Sequence, residues 1–157
     1  MIKTRVPIRD PFVRRWVMNR YGDGTAVIDV TKKSFLGIIV ELGSEKIAHQ
    51  HVLPKSMEDE SICITLLMPD SLKSSFVNPD KAFVMARAFE RMYEETFKEV
   101  VSAFVRVGYS DYDAVTMFVT TYFGNGAEDD KLAEKLRKKW RDHQNWLRKK
   151  IAKNLAA

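Results

Sequence analysis

Cysteine is nearly absent from this chain: Cys63 is the only one in 157 residues. An intramolecular disulfide is therefore excluded, and with it the secreted scaffolds that depend on such bridges; a cytoplasmic, reducing setting is the expectation. Long apolar runs are missing as well. Stretches such as Ile38–Ile39–Val40 fall far short of the roughly 20 residues that span a bilayer. No apolar signal core follows Met1, Lys3 and Arg5, so no membrane association is expected. Internal repeats and low-complexity tracts are lacking too.

The motifs of common chemistries are equally scarce. Gly22-x-Gly24 and Gly124-x-Gly126 carry none of the remaining positions of a phosphate-binding loop. No serine stands in a nucleophile elbow. Glu58-Asp59-Glu60 reads as a solvated loop, Cys63 as a small core residue in an apolar strand, and His143 as a histidine on an apolar helix stripe. The expectation is a protein that is not an enzyme, with no cofactor and no metal.

What the chain does contain is the material of a globular protein: 45% hydrophobic and 30% charged residues. At this length about two thirds of the unfolded chain's surface can be buried. One domain over 1–157 is expected, with an N-terminal α/β part at 1–77 and a helical part at 78–157. The fold class is α+β: a small β element within residues 25–68 and a C-terminal bundle of three helices.

The local signals behind that reading are specific. Asp10-Pro11 opens a helix that runs to Tyr21, with Phe12, Val13, Trp16 and Tyr21 on its apolar side, and Gly22-Asp23-Gly24 closes it. Thr25–Val30 reads as a strand. Residues 31–43 fit a helix capped by Thr31 and closed by Gly43, or a strand built on Ile38, Ile39 and Val40; the cap and the glycine favour helix. Ile47–Leu53 suggests a short strand, Lys55–Glu60 a surface loop, Ser61–Met68 the clearest strand, and Leu72–Val77 a helical turn. Asn78-Pro79-Asp80 starts a long helix whose face recurs at Phe83, Ala86, Phe89, Tyr93, Phe97, Val100, Val101, Phe104 and Val107, up to Gly108. Ser110 and Asp113 form a capping box ahead of Val115, Phe118, Val119 and Tyr122. A last helix from about Glu128 to Asn154 carries the stripe Leu132, Leu136, Trp140, His143, Leu147 and Ile151.

Charge is distributed unevenly. The net charge is +5, and from Glu128 onward ten Lys or Arg face five Asp or Glu, an excess as large as the whole. A smaller excess lies at the start, where Lys3, Arg5, Arg9, Arg14, Arg15 and Arg20 face only Asp10. On a helical wheel the last helix puts Arg137, Arg141 and Arg148 on one flank of its stripe and Lys131, Lys135, Lys138, Lys149 and Lys153 on the other, with Trp146 near the lysines. Cations grip phosphates, and an exposed ring stacks on a base or sugar. The candidate nucleic-acid contacts are thus Arg137, Lys138, Arg141, Trp146, Arg148, Lys149 and Lys135, with Arg14, Arg15 and Arg20. The ordinary alternative is a solvated amphipathic face, with Glu134 paired to Arg137 and Lys138.

The helix at Tyr112–Phe123, the glycine turn and the basic helix after it resemble a helix-turn-helix. Its groove-entering residues would be Asp129, Asp130, Lys131, Glu134 and Lys135, of which three are acidic. Four blocks, VPIRDPFVRRWV, YGDG, TTYFGNG and KLRKKWRDHQNWLRKK, resemble small helix-turn-helix-like proteins carried by bacterial phages and mobile elements. That resemblance implies a DNA-associated role, DNA rather than RNA, and no catalytic residue. His49-Gln50-His51 places two histidines on one strand face, as in single-strand nicking enzymes of the replication-initiator class, but Gln50 stands where those enzymes have an apolar residue, and neither a third ligand nor a tyrosine-bearing helix is identifiable. The leading reading is a DNA-binding regulatory or accessory protein, with a homodimer left open. The alternatives are a protein-interaction module or virion component that holds an acidic protein partner, and, remotely, a metal-dependent nuclease built on His49 and His51.

Overall fold

The computed structural model describes residues 3–31, 34–46, 60–67, 75–77, 79–124 and 127–157. They form a helix-rich α+β protein. The described residues divide into two compact units, Met1–Tyr93 and Glu94–Ala157. The division falls inside a helix rather than at the 77/78 break suggested by the change of sequence pattern.

In the first unit, strand β1 (Lys3–Pro7) leads into helix α1 (Pro11–Tyr21), strand β2 (Val27–Asp29), helix α2 (Phe35–Gly43) and strand β3 (Ser44–Lys46). A one-turn 3-10 helix at Glu60–Ile62 precedes β4 (Cys63–Leu67), and β5 (Ser75–Val77) precedes helix α3 (Pro79–Arg106). Three strands form a mixed sheet in the order β1-β4-β2, with β1 antiparallel and β2 parallel to β4. The central strand CITLL is the most apolar, as a strand flanked on both edges should be. Strand β1 alternates, with Thr4 and Val6 inward and Lys3 and Arg5 outward. Its Pro7 is tolerated because β1 is an edge strand, where a missing N–H costs little.

Two local expectations are met in detail. The Asp10 carboxylate accepts from the Phe12 N–H at 2.9 Å, capping α1. After α1 the backbone turns through Asp23 and Gly24, both at positive φ. Gly22 sits in a tight approach: a Cβ there would stand 2.6 Å from the Thr25 carbonyl oxygen and 2.9 Å from Ile28 Cγ1. The core of this unit gathers Val6, Ile8, Trp16, Val17, Ile28, Ile64, Leu66 and Phe89. The Trp16 ring packs edge-on against Tyr93 and Tyr21, at 5.7 and 6.4 Å between centroids.

Other expectations are corrected. Residues 31–43 do contain a helix, but Ser34, not Thr31, is its cap: Ser34 Oγ accepts from the Gly37 N–H at 3.0 Å. Part of Leu72–Val77, expected as a helical turn, is instead strand β5, because Ser75–Val77 pairs antiparallel with Ser44–Lys46. That partner lies about thirty residues upstream, out of reach of local pattern. The β structure therefore extends beyond 25–68 on both sides, through β1 and β5. The strand expected at Ile47–Leu53 and most of the loop at Lys55–Glu60 lie outside the described residues.

The second unit contains the end of α3 with α4 (Asp111–Phe123) and α5 (Ala127–Leu155), the three-helix bundle expected from the sequence. Ser110 Oγ accepts from the Asp113 N–H at 3.1 Å, and Gly124 ends α4 at positive φ. Phe97, Val101, Val115, Phe118, Leu132, Leu136 and Trp140 are buried together. Phe97 meets Phe118 and Trp140 edge-on, at 5.2 and 6.3 Å between centroids.

Candidate nucleic-acid interface

The stripe of α5 is buried only along its first half. Leu132, Leu136 and Trp140 are closed off, whereas every residue from Asn145 to Ala157 is exposed. The contacts of α4 explain where burial stops. Thr116 of α4 meets Arg137, and Asp111, at the start of α4, meets Trp140 and Gln144. The two helices thus run antiparallel, and α4 begins opposite Gln144. From Asn145 to Leu155 the last helix overhangs its partner by about 16 Å at 1.5 Å per residue. This side-by-side hairpin differs from the steep crossing by which a helix-turn-helix frees its second helix for a groove.

The basic residues of α5 fall into two kinds. Those beside the bundle are tied into it. Arg137 lies half-buried with its guanidinium 3.6 Å from the centre of the Tyr112 ring, and its Nη2 donates to Thr116 Oγ1 at 2.8 Å. Lys139 pairs with Glu94 at 2.5 Å. Lys135 is exposed but already engaged in an interaction. Lys138 and Arg141 face outward. Those on the overhang, Arg148, Lys149, Lys150 and Lys153, are all exposed. Beyond Asp142 the sequence has no carboxylate side chain to offset them.

Trp146, 55% exposed, has Lys150 Nζ 5.0 Å from its ring centre. On its other neighbouring turn the His143 ring lies nearly parallel, 6.1 Å away. Burial, and secondly the charge of Lys98, hold His143 below its ordinary range, which leaves it neutral near pH 7. Lys150 escaped the sequence reading because the wheel places it at the margin of the apolar stripe. It becomes conspicuous only once that stripe is seen to leave the bundle.

The N-terminal candidates belong to the first unit. Arg14 Nη1 donates to the Ile8 carbonyl at 2.8 Å and so pins the turn between β1 and α1. Arg15 is half-buried and engaged. Arg20 is exposed at the end of α1, 5.9 Å from the Tyr21 ring centre. Between α3 and α5 lies a shallow groove of about 340 Å³ lined by Glu95, Lys98, Glu99, Ser102, Arg106 and His143. Its two carboxylates balance its two fixed cations, so it does not extend the basic surface.

Among the described residues no three His, Cys, Asp or Glu side chains are grouped to hold a metal ion. His49 and His51 lie outside those residues. No described helix is long and apolar enough to cross a membrane. No protein-family model, curated protein or solved structure matches this chain.

Proposed function

We propose that this protein is a non-enzymatic, cytoplasmic nucleic-acid-binding factor, regulatory or accessory in role, that grips DNA with the exposed end of α5. One observation carries the reading. Arg141, Arg148, Lys149, Lys150 and Lys153 are exposed, Lys150 Nζ lies 5.0 Å from the centre of the half-free Trp146 ring, and no acidic side chain follows Asp142. Such a surface neutralises phosphates, while a ring beside a phosphate-binding ammonium is placed to stack on the attached nucleotide. Lys138 and Lys149 widen the lysine flank. Arg137 and Arg14 act mainly within their own units, Lys135 and Arg15 are already engaged, and Arg20 is an auxiliary contact. The preference for DNA rests on the sequence resemblance alone.

The test is fluorescence anisotropy of labelled duplex DNA, single-stranded DNA and RNA across a salt series, with the full chain and a variant carrying Arg148, Lys149, Lys150 and Lys153 changed to Ala. Four phosphate contacts on duplex DNA should weaken binding roughly 10²-fold between 50 and 200 mM salt. The variant should flatten that dependence, and Trp146→Ala should weaken single-stranded binding most. No binding at low salt, or binding that the four-alanine variant leaves unchanged, would overturn the proposal.

A further inference from the structure

The overhang carries more than charge. Leu147, Ile151 and Leu155 continue the stripe that is buried at Leu132, Leu136 and Trp140, and their exposure rises from 36% to 57% to 83% as α5 leaves the bundle. Single exposed leucines are ordinary. Three in register on one face, extending a core stripe beyond its core, form a face that opens progressively to solvent toward Leu155. Phosphate contact makes no use of it.

The width and the borders of this face identify what fits. At about 100° per residue, Leu147, Ile151 and Leu155 span a sector of only about 80°. Arg148 borders it about 20° beyond Leu155, and Lys150 borders it about 60° before Leu147. A helix that lies in a bilayer surface needs a broad apolar face, usually well over 100° wide. A narrow seam with charged borders is the pattern by which one helix receives another. A second copy of this chain would bring its own Arg148 and Lys150 against these two border cations, an unfavourable pairing of like charges. A helix with an apolar seam and acidic borders meets both requirements at once.

We infer that the Leu147–Ile151–Leu155 face of the overhang docks an acidic amphipathic helix of a partner protein, with the partner's carboxylates set against Arg148 and Lys150. This interaction shares Arg148 and Lys150 with the nucleic-acid contact and differs from it in reading the aliphatic sector, which phosphate contact does not use. The overhang is short, about 16 Å, so the interface falls below the size of a stable complex and the association is weak and readily reversed.

The experiment titrates the full chain with a synthetic helical peptide bearing leucine at the seam and glutamate at the borders, followed by intrinsic tryptophan fluorescence and calorimetry. A second peptide has the same composition in scrambled order. A second protein carries Ile151→Ser and Leu155→Ser, both more than half exposed in the native state, with its fold checked by circular dichroism. The ordered peptide should bind, the scrambled one should not, and the double variant should weaken binding about ten-fold, as expected from the loss of apolar contact. DNA affinity of the double variant should be unchanged, so that failure here is distinguishable from failure of the nucleic-acid reading. Equal binding of both peptides would reduce the effect to bulk charge and overturn the inference. Unchanged peptide binding by the double variant would overturn it as well. Two results would assign the face elsewhere: binding to anionic phospholipid vesicles without binding to the peptide, or self-association abolished by the double variant.

Discussion

Arg137→Ala separates the two roles that a basic residue on α5 can have. In sequence Arg137 belongs with Arg141 and Arg148 as a phosphate contact. In the structure its guanidinium covers the Tyr112 ring at 3.6 Å and donates to Thr116 Oγ1 at 2.8 Å, joining the start of α4 to the middle of α5. The cation–π contact contributes about 1 kcal/mol, and a hydrogen bond from a charged donor about 1.5 kcal/mol or somewhat more. Removing the side chain also removes Nε, which is buried without a hydrogen-bond partner, and this relief offsets part of the loss. The net expectation is a destabilisation of about 1–2 kcal/mol, read as a lowered midpoint in urea by circular dichroism. Arg137→Lys should recover little, because an ammonium lacks the planar fork that both stacks on the ring and reaches the hydroxyl. The salt dependence of DNA binding should be that of the unaltered protein. An Arg137→Ala protein with full stability and lost DNA affinity would refute this reasoning and return the residue to the binding surface.

Two further outcomes are expected. Gly22→Ala should destabilise the first unit by roughly 1–3 kcal/mol, the range for forced overpacking, because the new Cβ meets the Thr25 carbonyl at 2.6 Å, and a backbone atom cannot swing aside; an unchanged urea midpoint would show that the turn relaxes freely. His143 titrates below its ordinary 6.5, chiefly through burial and secondly through Lys98, while Glu95, Glu99 and Arg106 also line its groove. The unfolded chain therefore takes up this proton more readily than the folded one, so the stability tied to neutral His143 is present above pH 6.5 and is lost as pH falls through the depressed value. Acidification from pH 7.5 to 5 should cost the unaltered protein more stability than His143→Gln, and equal losses in the two would remove His143 from the pH response.

Much of the fold follows from short-range chemistry that the sequence displays directly. Asp10-Pro11, Ser110 with Asp113, and Gly124 each set a helix end through atoms within four residues, so α1 and α4 are legible without knowing what they pack against. The spacing of Phe89, Tyr93, Phe97 and Val101 likewise fixes α3, because one face of a 28-residue helix must be apolar to be buried. The strands were legible only where apolar character was continuous, as in β4. Strand β1, with its lysine, arginine and proline, and β5, three residues long, exist because distant backbone offers hydrogen bonds: Lys3 opposite Leu67, Val77 opposite Ser44. No local pattern encodes such a partner.

The site divides in the same way. Composition and the helical wheel determined that α5 is long, basic on both flanks and interrupted by an off-stripe tryptophan, since these are properties of one helix alone. Which of its cations are free was decided by tertiary structure: α4 is 13 residues long and lies antiparallel to a helix of 29. Contacts from α4 tie Arg137, and Glu94 of α3 ties Lys139, into the bundle, while the length of α5 beyond α4 leaves Lys149, Lys150, Lys153, Ile151 and Leu155 exposed. A helical wheel assigns a direction to each side chain, but only the neighbouring helices determine whether that direction ends in protein or in water.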